Sequence, residues 1–121
     1  MKNKLIYLAS PYSKYPKGKE QAFRETCIKA AQLMERGYYI FAPISHSHPI
    51  EDIGMPFHKD GEFWLNQDFE VLKRCDELWV YKMPGWDYSY GVEKEIKFAQ
   101  QHNIPIHYIE YEKEQQYAFN F

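Results

Sequence analysis

The sequence predicts a single doubly wound α/β domain: a flavodoxin- or Rossmann-like parallel sheet of four to five strands, flanked by helices. Three observations carry that prediction. Short apolar runs recur at residues 4–9, 38–43, 77–81 and 104–109, each apolar on both faces, as strands covered by helices on both sides must be. The segments between them carry apolar residues at helical rather than strand spacing. The chain has 121 residues, 45% of them hydrophobic, which is enough for one core and too little for two domains, so residues 1–121 read as one unit.

The elements follow in order. "KLIYLA" (4–9) is a buried strand, followed by the polar turn "SPYSKYPKGK". From Glu20 to Arg36, Phe23, Cys27, Ala30, Ala31 and Met34 form a helical stripe, and Gly37 supplies a C-terminal cap. "YYIFAP" (38–43) is a second strand that Pro43 terminates, and "ISHSHPIEDIGMPFHKDG" is a long polar loop. A second helix spans about Glu62 to Cys75 and leads into a third strand, "ELWVY" (77–81). After "KMPGWDYSY" a third helix runs from about Gly91 to His102, and "IPIHYI" (104–109) is the fourth strand. The tail "EYEKEQQYAFNF" reads equally as a short helix, a fifth strand or a partner-binding arm. Open parallel sheets bind ligands beyond the carboxyl ends of their strands, so the loops after Ala9, Ala42, Tyr81 and Ile109 are where chemistry is expected.

Composition excludes several classes. A formal charge of −2 with interleaved signs provides no basic stripe for a nucleic-acid backbone. The apolar run Leu5–Ala9 is too short for a signal peptide and nothing approaches a membrane span, so a cytoplasmic protein is expected. Cys27 and Cys75 have no CxxC spacing and read as reduced, buried thiols. The aromatic share of 18% suits both a core and a site for planar ligands.

Two carboxylates stand where helical periodicity does not want them. On a wheel of about 100° per residue, Asp68 falls among Trp64, Leu65, Val71, Leu72 and Cys75, on the apolar face of the second helix. An unpartnered charge buried there costs several kcal/mol, so either an internal donor meets it or the face opens onto a polar pocket. In the third helix, Val92, Ile96 and Ala99 form the inward stripe. Glu93 lies on the solvent flank as a plain helix-dipole acid, whereas Glu95 borders the stripe on the other side. Glu95 alone reads as well as a second dipole acid as a buried functional one. Together, Asp68 and Glu95 start from helices flanking one strand, and paired carboxyls in differing environments are the usual equipment of glycosidic chemistry.

Three segments, in this order, resemble the nucleoside 2-deoxyribosyltransferase superfamily, nearest its 2'-deoxynucleoside 5'-monophosphate N-glycosidase branch. They are "IYLASPYS", "NQDFEVLKRCDELWV" and "SYGVEKEIKFA", and they cover most of the chain. The resemblance implies Glu95 as the nucleophile that attacks C1', Asp68 as the acid that assists or orients the departing base, and Tyr7 as a tyrosine beside sugar and nucleophile. Ser89 and Gly91 match the helix start that holds the substrate's 5' end. Classical transferases carry Asp at the position of Ser89 to grip a free 5'-hydroxyl; serine with backbone N–H groups better suits a 5'-phosphate. The nucleotide branch has a glycine- and arginine-rich first turn. This chain has "SPYSKYPKGK" instead, with Ser10, Ser13 and Lys14 as substitutes and a point charge in place of a bidentate fork. The implied activity is retaining cleavage or transfer of an N-glycosidic bond, needing no cofactor and acting on a small nucleotide or nucleoside.

The histidines are open to several readings. "HSHP", with His58 and Asp60 downstream, suggests a metal, but a third and fourth ligand at standard spacing are missing. His46 and His48 otherwise line the base or ribose pocket, or are plain loop residues. Tyr12, Trp86, Phe57 and Trp64 are candidates to stack on a base, with Trp64 as readily a core residue. The resemblance also implies a homodimer or higher oligomer in which a neighbour's C-terminal region, with Asn120 as its polar candidate, completes the site. Outside catalysis, the same pocket would serve a protein that senses or sequesters a nucleotide without turnover.

Overall fold

Four strands, β1 (Leu5–Ala9), β2 (Tyr39–Phe41), β3 (Glu77–Tyr81) and β4 (Ile106–Ile109), form one parallel sheet in the order β2-β1-β3-β4. The structure, a computed structural model, describes residues 3–55, 57 and 59–111. Parallel neighbours need crossover connections, and these are made by helices α1 (Lys19–Glu35), α2 (Pro43–Gly54), α3 (Gly61–Leu72) and α4 (Tyr90–Gln101), with a single 3-10 turn at Trp86–Tyr88. The doubly wound α/β prediction holds, with four strands among the described residues. No described helix is long and apolar enough to cross a membrane.

Alternation along the strands sorts the core into two layers. Tyr7 and Ala9 of β1 and Leu78 and Val80 of β3 pack with Leu72, Val92 and Ala99 from the α3 and α4 side. Leu8 and Tyr81 point the other way, into a cluster with Ala22, Ala30 and Leu33 of α1. The period of two along β1 is what sends Tyr7 towards α4. Phe69 of α3 and Phe98 of α4 stack at 4.5 Å between centroids, which fixes the two helices that carry the inward carboxyls.

Local signals explain the helix ends. The Gly37 N–H bonds the Met34 carbonyl at 3.0 Å and the Tyr38 N–H bonds the Leu33 carbonyl at 3.1 Å. With Gly37 at φ 97, this is a Schellman termination of α1. Asp60 caps α3 by accepting from the Phe63 N–H at 3.0 Å, and Ser89 caps α4 by accepting from the Val92 N–H at 3.2 Å.

Two expectations need correction. The supposed polar loop after β2 contains α2: Pro43 ends the strand but also occupies the first helical turn, where its missing N–H costs nothing. Pro49 lies inside that helix, and two prolines in a polar segment are what made it read as a loop. The buried face of α1 is also rotated from the expected stripe. Ala31 and Met34 are exposed and Phe23 and Cys27 only half-buried, while Glu25, Thr26 and Lys29 are buried. Polar partners inside make that possible. Glu25 accepts from the Tyr15 and Tyr111 hydroxyls at 2.7 and 2.6 Å, Thr26 bonds Ser10 at 2.9 Å, and Lys29 lies 5.3 Å from the centre of the Tyr81 ring. Both cysteines are free, Cys75 buried as expected and Cys27 not fully so. The tail from residue 112 onward, with its proposed fifth strand or arm, lies outside the described residues.

Candidate active site

Beyond the carboxyl end of β1 lies a cavity of about 180 Å³, walled by the turn after β1, by α2 and by the starts of α3 and α4. A water's share of the liquid is about 30 Å³, so this space takes a small organic ligand rather than one bridging solvent molecule. It sits beside the β1–β3 pair, where the chain switches from building the sheet towards β2 to building it towards β4; doubly wound sheets bind ligands at that position.

Asp68 and Glu95 both line the cavity. Glu95 is only 5% exposed and Asp68 9%. The hydroxyl of Tyr7, itself fully buried, donates a hydrogen bond to Glu95 Oε2. Burial is the main force on each carboxyl, because a charge removed from water disfavours ionisation. It lifts Asp68 from 3.8 to about 7. Glu95 rises from 4.5 to about 8, through burial first and the neighbouring Asp68 charge in addition, while the Tyr7 hydrogen bond pulls the other way by favouring the ionised form. The Tyr7 phenol is held well above its ordinary value by burial and by both carboxylates, so it stays a donor. Near neutral pH the pair therefore retains at least one proton, which the two carboxyls share. Glu93, by contrast, is exposed and pairs with Lys97 at 2.9 Å.

Of the residues singled out in the sequence, Ser10, Tyr12, Ser13, Lys14, His48, Asp68, Ser89, Gly91 and Glu95 line this one cavity. Tyr7 reaches it through Glu95. Trp64, left between core and stacking roles, lines it too, with Nε1 donating to Glu51 at 3.0 Å. Trp86 does not line it; its ring packs against Tyr108 and the hydrophobic core beneath. His46 is exposed beside Phe41 and Phe57 is exposed, neither of them part of the wall. Asn120 and His58 lie outside the described residues. Both His48 nitrogens are engaged, Nδ1 with Tyr12 and Nε2 with Glu20. Among the described residues no group of three or more His, Cys, Asp or Glu is gathered to hold a metal.

Sequence reasoning missed Lys19, Lys59, Ser47 and Glu51, all of which line the cavity. The lysines carried no local pattern, since only the fold brings the start of α1 and the turn before α3 to one cavity. Ser47 and Glu51 became legible only once α2 was seen as a helix, because they lie four apart on one of its faces.

An open parallel sheet flanked by helices, with a cavity at its switch point, defines a doubly wound α/β protein. A solved structure described as a 2-deoxyribosyltransferase from the psychrotolerant bacterium Bacillus psychrosaccharolyticus superposes with a TM-score of 0.59, at 19% identity, over 88% of this chain and 72% of that one. At that identity the likeness establishes fold alone. Within this class the chain belongs to the family described as "Domain of unknown function (DUF1937)", whose match runs over residues 4–111. No curated protein matches the chain.

Proposed function

We propose that the protein cleaves or transfers the N-glycosidic bond of a nucleoside or nucleoside 5'-monophosphate, with Glu95 as nucleophile and Asp68 as acid and base. The observation that carries this reading is the joint burial of Asp68 and Glu95 at one cavity wall, with Tyr7 donating to Glu95. Two desolvated carboxyls facing a cavity are costly to keep, and a binding function alone gains nothing from holding both.

In the proposed sequence the ionised Glu95 attacks C1' and forms a C1'–O ester bond. The bond from C1' to the base nitrogen breaks and its electron pair leaves with the base, which takes the proton from Asp68. The pair shares its proton and the reactive form is the one in which Asp68 holds it; the Tyr7 hydrogen bond aims Glu95 and favours its ionised form against the burial that favours the protonated one. Asp68, now a carboxylate, takes a proton from water or from an incoming base as that group attacks C1'. The ester opens, the anomeric configuration is retained, and Glu95 and Asp68 return to their starting states.

The rim favours a 5'-phosphate over a bare nucleoside. Lys14, Lys19 and Lys59 bring three cations to the mouth, and the amino end of α4, through Ser89 and Gly91, lines the same space. The test is a panel of ribo- and deoxyribonucleosides and their 5'-monophosphates, scored for free base by chromatography, with a second base added to separate transfer from hydrolysis. Release by the unsubstituted protein and none by Glu95→Ala, with unchanged circular dichroism, is expected. Base release retained in Glu95→Ala overturns the assignment. Ligand binding without release by the unsubstituted protein favours the sensing or sequestering role instead.

A further inference from the structure

At the part of the cavity wall made by the turn after β1 and by α2, three side chains from separate segments form a chain of hydrogen bonds. Tyr12 Oη lies 2.6 Å from His48 Nδ1, and His48 Nε2 lies 2.9 Å from Glu20 Oε2. The imidazole is held flat against Phe23, with ring centroids 4.3 Å apart and planes 20° from parallel. Tyr12 and His48 line the cavity; Glu20 stands behind them at the start of α1.

The proton positions follow from what each group is able to do. When the ring is neutral, an ionised carboxylate that only accepts leaves Nε2 to carry the hydrogen and give it to Glu20. Nδ1 is then bare, and Tyr12 must spend its single hydroxyl proton on it. What the phenol turns to the cavity is lone pairs alone. An unconstrained tyrosine meets a ligand donor or a ligand acceptor equally well, but this one accepts only. Glu51 lines the same wall with a second acceptor group, and the Lys19 ammonium lies 5.5 Å from the centre of the Tyr12 ring, over its face.

We propose that the Glu20–His48–Tyr12 relay fixes Tyr12 as a hydrogen-bond acceptor that selects a nucleobase bearing an exocyclic amino group over its keto counterpart. The inference rests on the glycosidic reading for the nature of the ligand: with the sugar at Glu95 and the 5' end at the start of α4, Tyr12 and Glu51 are a neutral and an acidic acceptor that the rest of the cavity wall offers to the base. With a base brought against the Tyr12 hydroxyl, an amino group meets its oxygen with a proton, whereas a keto oxygen sets two acceptors against each other. Sites that leave a buried polar group unpaired discriminate strongly. Here the expected preference is about 10- to 100-fold, as for one hydrogen bond in a half-open wall.

The experiment is calorimetric binding at about pH 8, where imidazole is ordinarily neutral, in a Glu95→Gln background that prevents turnover. The ligands are two matched pairs: 2'-deoxyadenosine against 2'-deoxyinosine 5'-monophosphate, and 2'-deoxycytidine against 2'-deoxyuridine 5'-monophosphate. In at least one pair the amino member binds about 10- to 100-fold more tightly. Tyr12→Phe brings that ratio to within about twofold. Glu20→Ala, on an exposed side chain that leaves the ring in place, lowers the ratio part of the way by freeing the tautomer. A ratio near one in the background protein, an undiminished ratio in Tyr12→Phe, or no binding of any of the four ligands overturns the proposal. The predicted ratio together with no base release by the unsubstituted protein removes the glycosidic activity and leaves the acceptor role standing.

Discussion

Replacing Glu95 with glutamine removes a charge that the fold holds only at a cost, and the cost has a pH signature. The folded-state value of Glu95 lies above its unfolded one. Below about pH 4.5 both states keep the proton, and the group contributes nothing to the difference between them. As pH rises from there the unfolded chain ionises first, so stability falls until the folded protein ionises too. A carboxyl moved from 4.5 to about 8 destabilises the fold by about 5 kcal/mol above that range, and by about 3 kcal/mol near pH 7. Glutamine keeps the shape and an oxygen to accept from Tyr7, and its amide contributes equally at every pH. The readout is therefore the slope. Urea unfolding at a series of pH values is expected to show Glu95→Gln level with the parent near pH 4.5 and ahead by about 1 to 3 kcal/mol near pH 7. For a domain of this size the same gain is about 4 °C in Tm per kcal/mol. Parallel stability curves for the two proteins across that window would refute the claim that Glu95 is a desolvated, proton-retaining carboxyl.

Four further outcomes follow from the same geometry. The profile of kcat/KM against pH is expected to be bell-shaped around pH 7 to 8, with limbs that belong to the Asp68–Glu95 pair as a whole; a flat profile contradicts the shared proton. Tyr7→Phe removes the hydrogen bond that favours ionised Glu95, so base release falls about 10- to 100-fold and the acid limb moves to higher pH, readable in the same assay. Asp68→Asn removes the proposed proton donor and is expected to remove the basic limb with it, while its stability falls less steeply than the parent's between about pH 4 and 7, by the same linkage that applies to Glu95. Asp60→Ala deletes the cap that receives the Phe63 N–H and costs about 1 kcal/mol in urea unfolding, with α3 retained in circular dichroism.

Helical periodicity singled out two carboxyls that prove buried at one cavity, but not their surroundings. Asp68 and Glu95 stood out because a carboxyl on an apolar stripe violates the pattern that packing imposes. The strands were legible for a related reason, since burial on both faces leaves little place for polar residues along β1 and β3, where Glu77 at the first position of β3 is held by Lys4 at 2.8 Å. The helix α2 was not, because proline at its first turn and again at Pro49 carries the same local signal as a loop. The rotated face of α1 was hidden for a deeper reason. Pattern reasoning sends Glu25 and Lys29 to solvent, and only the folded neighbourhood of Tyr15, Tyr111 and Tyr81 makes their burial affordable. The lysine rim and the Tyr12–His48–Glu20 chain join residues far apart in sequence, and single-sequence spacing carries no trace of such contacts.

The central claim is that Glu95 forms a covalent bond to the sugar. A 2'-fluoro-arabino nucleotide slows both steps by withdrawing electron density from the developing cation at C1', and long incubation at excess nucleotide with no acceptor base lets the intermediate accumulate. Mass spectrometry of the digested protein after incubation is expected to show the fluorinated sugar phosphate on the peptide that carries Glu95, and no adduct in Glu95→Gln. Base release without any adduct, or an adduct on a different residue, contradicts the account.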